Sequence, residues 1–288
     1  MKFEFNKNQI NEIGLFRTAL GIYLLYYQCI LFKDFSTYFG PGSMIIPELL
    51  TLKFSILFWV WNSLVLKILF LIMMGLTLIF MLGVINLWMF IGLFILQISF
   101  HQANPVIISE PQQLANLFLL MFFFIFPNTY PTFLTLKNYP STGLMTKEDK
   151  QIINILIVFL GLYYLLAGLK QLPDPLWRKG EALYYILKWP IMSKDNFIVQ
   201  ELLKHAFILK ALNYGVLVFE ISFIFLVYSR FRWILIVLGL GYHLGIYMTL
   251  DVGSFSQIML VWYMLLLDEQ TRNKFRNLLN KNALLKTV

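Results

Sequence analysis

The chain has 288 residues, 59% of them hydrophobic and 13% charged, with a formal net charge of +8 and a mean hydropathy of +0.71. That balance excludes an ordinary soluble domain and fits an integral membrane protein. The positive charge does not call for nucleic acid, because Lys and Arg fall between apolar runs, where they set orientation and attract anionic headgroups.

The first 14 residues, MKFEFNKNQINEIG, carry charges of both signs. No small-residue cleavage site follows the first apolar run, which therefore reads as a retained anchor. A membrane span needs about 20 apolar residues, and about eight segments qualify. The first runs from about Ile13 to Leu31 and holds the single cysteine, Cys29, so no intramolecular disulfide is open to the chain. Two spans form a hairpin from about Leu64 to Ser99 that turns at Gly83 and Asn86. The fourth covers about Leu114 to Phe126 and the fifth about Ile152 to Leu169. The last three are about Ile208 to Tyr228, Trp233 to Leu250 and Phe255 to Leu267. All 10 prolines fall outside these runs, as expected if the runs are helices. The expected fold is all-α, a polytopic transmembrane helix bundle forming one domain over residues 1–288. The distribution of Lys and Arg puts both termini in the cytoplasm.

Between spans five and six, Lys170 to Lys204 forms an extramembrane cap. Leu176, Leu183 and Leu187 recur there at helical spacing beside basic groups, Trp177 and Trp189, the composition of a helical segment lying on lipid. A solvated loop is the alternative.

Ionisable groups at membrane depth are costly and mark candidate function. Arg17 in FRTALG either binds a substrate or snorkels to the near interface. Glu220 in YGVLVFEISF lies deeper and cannot snorkel as far: if ionised it needs a partner, with Arg17 and Lys210 the candidates, and if neutral, burial keeps it protonated. His243 lies within Gly241-x-x-x-Gly245, a pattern of close helix packing, where it bonds a carbonyl or passes a proton. Asp251 ends that span as a cap or as a neighbour of Lys170. The connection SFHQANPVIISEPQQL is polar for a loop between spans and offers His101 and Asn104. Three scattered histidines and one cysteine give no metal-ligand spacing.

The stretch Tyr163 to Pro190, YYLLAGLKQLPDPLWRKGEALYYILKWP, combines an apolar span ending in A-G-x-K, a Pro-Asp-Pro break, a Trp-x-x-Gly element and the pair Tyr184-Tyr185. It resembles the HTTM domain, the membrane module shared with vitamin K-dependent gamma-carboxylase. GLFRTALGIYLL resembles the opening of that family and YFGPGSMIIP its first outer loop. The Asn104-Pro105 turn and the closing section from Phe219 to Leu267 extend the likeness over nearly all of the chain. In the carboxylase branch the second of two adjacent lysines deprotonates reduced vitamin K. Here the pair is Lys170-Gln171, and a glutamine cannot serve as a base.

The resemblance thus implies a bacterial cytoplasmic-membrane factor for maturation or export of a secreted peptide or protein, with a small peptide or a membrane protein as partner. An outer-facing cavity would gather Lys170, His243, Glu220 and Asp251 as reactive groups. Arg17, His101, Asn104, Gln171, Trp177 and Tyr184 would bind substrate. The alternatives are a membrane enzyme acting on a quinone or lipid, with a quinone as its cofactor, and a transporter or structural subunit.

Overall fold

The computed structural model describes residues 12–39, 57, 62–84, 86–104, 107, 109–125 and 146–273. The first-loop motif from Gly40 onward and the Asn104-Pro105 turn at Pro105 lie outside the described residues. Among the described residues the regular elements are helices, with one isolated bridge between Ser193 and Leu250.

Every apolar run expected as a span is helical. These helices are α1 (Glu12–Lys33), α3 (Ser63–Leu82), α4 (Leu87–Ala103), α5 (Glu110–Ile125), α6 (Lys147–Gln171), α10 (Ala206–Leu226), α11 (Arg232–Thr249) and α12 (Phe255–Tyr263). Short elements complete the order: α2 (Phe35–Phe39), α7 (Pro175–Lys179), α8 (Ala182–Lys188) and α9 (Phe197–Lys204). Five helices, α1, α3, α6, α10 and α11, are long and apolar enough to cross a membrane, and α4 and α12 are apolar but shorter. The chain is a helical membrane protein.

Local chemistry explains the boundaries. Asn62 and Asn86 accept from the first free N–H groups of α3 and α4, the role of a short polar side chain at a helix start. Thr146 and Asp149 cap α6 reciprocally, at 2.9 Å and 3.2 Å. Pro111 is the second residue of α5, in the first turn, where a missing N–H costs nothing.

The chain divides into two compact units, residues 1–152 and 153–288. In the first, α1 crosses α3 so closely that a Cβ on Gly21 would lie 2.6 Å from Met81 Cβ. Phenylalanines fill the interior: Phe16 meets Phe118 at 5.2 Å, Phe80 meets Phe122 at 5.1 Å and Phe70 meets Phe100 at 4.9 Å, all edge to face. In lipid, where apolar burial drives little, such packing and interhelical hydrogen bonds hold helices together.

In the second unit, α6 faces α10 through Gly161 and Gly168, whose added Cβ atoms would meet Ile224 and Ile221 at 2.9 Å and 2.8 Å. The cap does not form one surface helix. Gly180, with φ 78, closes α7 and turns the chain into α8. Leu187 then buries against Val199 of α9 and Leu209 of α10. The loop between α8 and α9 is tied to α11: Lys194 Nζ donates to Tyr247 O at 2.5 Å and Asn196 Nδ2 to Met248 O at 2.8 Å. These bonds satisfy carbonyls that a helix end leaves open.

Candidate functional site in the second unit

Residues 153, 157, 160, 164, 168 and 171 of α6 share one face, and it is the buried one down to Gly168. That spacing decides the fate of Lys170. It stands off the stripe and is exposed, whereas Gln171 is half-buried and hydrogen-bonds Glu220 of α10. The expected gathering of Lys170 with Glu220 and His243 is therefore absent, because one residue along a helix is a turn of about 100°.

Glu220 is 3% exposed. Its Oε1 accepts from Tyr242 Oη at 2.9 Å, and its Oε2 meets no partner among the described residues. Its partners are a phenol and an amide, not the Lys210 ammonium. Two turns down the same face of α6, Tyr164 Oη lies 2.5 Å from His243 Nε2 on α11 and 2.6 Å from Tyr263 Oη on α12. His243 Nδ1 is buried without a partner among the described residues. Tyr263 reaches this position because residue 239 is a glycine; a Cβ there would fall on the Tyr263 ring, 2.5 Å from Cε2. Three hydroxyls, an imidazole and a carboxyl thus sit inside an apolar helix group, with Phe219 and Phe223 packed on Tyr164 at 5.3 Å and 4.5 Å. Tyrosines and a histidine so joined can pass a proton between donor and acceptor without solvent.

Beside them a cleft of about 740 Å³ runs between α10 and α11, roofed by Leu183 and Leu187 of α8 and Leu202 of α9. Tyr242 lines it, so the hydroxyl bound to Glu220 belongs to its wall. The close helix packing expected at Gly241 and Gly245 is not made among the described residues. An added Cβ at either, or at Gly215 across the cleft, would meet nothing within 4 Å. The glycines open the cleft instead.

The other expected residues are scattered. Asp251 is exposed beyond α11, and its N–H bonds Met192 O at 2.8 Å, a backbone role in holding the cap. Trp177 lines a separate recess of about 370 Å³ with Asp174, Tyr185 and Trp189. Tyr184 carries Lys188 Nζ over its ring at 4.5 Å.

Arg17, His101 and Asn104 belong to the first unit, all buried. Asn104 donates to Tyr38 O at 3.0 Å and ends α4. His101 closes a chain of neutral groups: Gln28 Nε2 donates to Thr77 Oγ1 at 3.0 Å and to Gln97 Oε1 at 3.1 Å. Gln97 Nε2 then meets His101 Nε2 at 3.1 Å, and the Asn116 amide lies 2.9 Å from Nδ1. Since Gln97 Oε1 already accepts, its amine donates to Nε2, and a neutral imidazole then carries its proton on Nδ1. That tautomer calls for the Asn116 amide to be turned so that Oδ1, rather than the placed Nδ2, faces Nδ1.

Sequence reasoning missed Tyr164, Tyr242 and Tyr263, and in the first unit Gln28 and Gln97. Tyrosine and glutamine carry no charge and do not stand out in an apolar run. The seven-residue spacing of Tyr164 and Gln171 was the available signal. No family model matches the chain, and no curated protein or solved structure matches it.

Proposed function

We propose that the chain is an HTTM-like membrane protein that crosses the bilayer eight times with both termini in the cytoplasm. It serves as an accessory factor in maturation or export of a secreted peptide or protein. The observation that carries this reading is the Gly215, Gly241 and Gly245 surface, which faces an open cleft. Small residues four apart let a second helix backbone approach closely, and no such helix stands there among the described residues. An apolar helical segment of a client would lay its ridge into the cleft, between walls of Val218 and Leu238. With Gln171 in the inward position and Lys170 outward, carboxylation through a lysine base has no support.

A photo-cross-linking residue at position 238 in native cells tests the reading. A discrete small secreted polypeptide is the expected adduct, lost on Gly241→Leu. Adducts to lipid or quinone alone would sink it.

The second reading, an enzyme acting on a quinone or lipid, is favoured by one observation. Tyr242 connects the cleft wall to a buried carboxyl whose Oε2 meets no partner among the described residues. A cleft of about 740 Å³ is within the range of small-molecule sites. A quinone carried through purification, and lost on Tyr242→Phe, would support it.

A further inference from the structure

We propose that Arg17 anchors a binding site for an anionic oxygen group, a phosphate or phosphate-like headgroup, at the end of the first unit where α1 begins and α3 ends. Arg17 lies in the second turn of α1 and is 4% exposed. A snorkelling arginine would show its head to the surface; this one does not. Its Nε and Nη2 meet no acceptor among the described residues. It takes part in none of the ion pairs those residues form.

A second feature shapes the same place. The guanidinium lies against Gly83, which closes α3 with φ 73, its N–H directed to Ile79 and Phe80 carbonyls. A Cβ at Gly83 would collide with Nη2 and stand 2.6 Å from Cζ and 2.9 Å from Nη1. Residue 83 is thus held to glycine twice, once by its backbone angle and once by the planar head beside it. The carboxyl end of α3 carries a partial negative charge of roughly half a unit. That favours a cation there but leaves about half of its charge uncompensated, and no α3 carbonyl accepts from Nε or Nη2. A guanidinium offers five donors in a plane, the geometry that grips an oxyanion through two parallel bonds. Since a lone charge in an apolar helix bundle is costly, an incoming anion supplies what the described residues do not.

The test uses the full-length protein in neutral detergent, titrated with phosphatidylglycerol, phosphatidylethanolamine or inorganic phosphate and followed by native mass spectrometry. Phosphatidylglycerol should bind about tenfold more tightly than phosphatidylethanolamine, the scale of one charged hydrogen bond. Arg17→Gln should remove that preference, and exposed Lys179→Gln should keep it. Competition by inorganic phosphate would make the phosphate group itself the ligand; lack of competition would require the lipid. Equal binding of the two lipids by the wild type, or an unchanged preference in Arg17→Gln, overturns the proposal. Should Arg17→Gln fail to fold, photoactivatable phosphatidylglycerol on the wild type decides. Adducts within residues 12–22 or 79–84 support the site, and adducts confined elsewhere refute it.

Discussion

The two units bury polar groups in different ways. The first strings together Gln28, Thr77, Gln97, His101 and Asn116, a chain of amides, a hydroxyl and one imidazole that holds no phenol and no carboxyl, with Gln28 Oε1 and Asn116 Oδ1 left without a partner among the described residues. The second places Tyr164, Tyr263, Tyr242, His243 and Glu220 together and leaves one His243 nitrogen and one Glu220 oxygen open. Amides satisfy one another and fix helix register. Phenols and a carboxyl beside an imidazole can exchange protons, which amides cannot. We therefore read the first set as structural and assign the proposed function to the second.

That division is breakable. Gln97→Leu removes the acceptor of one Gln28 N–H and the partner of His101 Nε2, so it should destabilise the protein by about 2–6 kcal/mol, taking each stranded group at about 1–3 kcal/mol. Thermal unfolding in detergent measures this. Function per folded molecule should be unchanged, and a loss there would end the contrast.

Tyr164→Phe removes two hydrogen bonds and should cost less stability, about 1–2 kcal/mol, while cutting client maturation or quinone turnover by about tenfold or more. A variant with lowered stability and full function would make the tyrosine–histidine cluster glue as well.

The smallest effect lies outside the bundle, at exposed Glu201 on α9. Its hydrogen bond from Lys204 at 2.8 Å, and then that from His205 at 3.2 Å, hold its carboxyl below the ordinary value. A depressed carboxyl stabilises the folded form above its unfolded value, and the benefit fades as pH falls through the folded one. Amide exchange in α9 should therefore quicken in mild acid while α10 and α11 stay unchanged. Quickening throughout the unit would contradict a local role.

Much of the fold was legible in the sequence because lipid permits few backbone solutions: long apolar runs bounded by proline became helices at the expected places. The cap was only partly legible. Leu176, Leu183 and Leu187 have helical spacing, but Gly180 breaks the run, and the pull of Lys194 and Asn196 on α11 carbonyls is a long-range contact that no local pattern carries. The site was legible by charge alone. Glu220 and His243 were found because charged or titratable groups are rare at depth. Lys170 was misjudged because the end of a helix conceals which way its last side chains face. Gln171 continues the stripe through Tyr164 and Gly168, and Lys170 does not.

The roof over the cleft rests on both walls at once: Leu187 and Val199 pack on Leu209 of α10, while Lys194 and Asn196 are fastened to the last turn of α11. A lintel seated on two jambs cannot rise without tearing loose from one of them. A guest arriving from above must break those fastenings, whereas one sliding in sideways from the fatty layer breaks none. Entry through the roof is therefore the costlier route into the cleft.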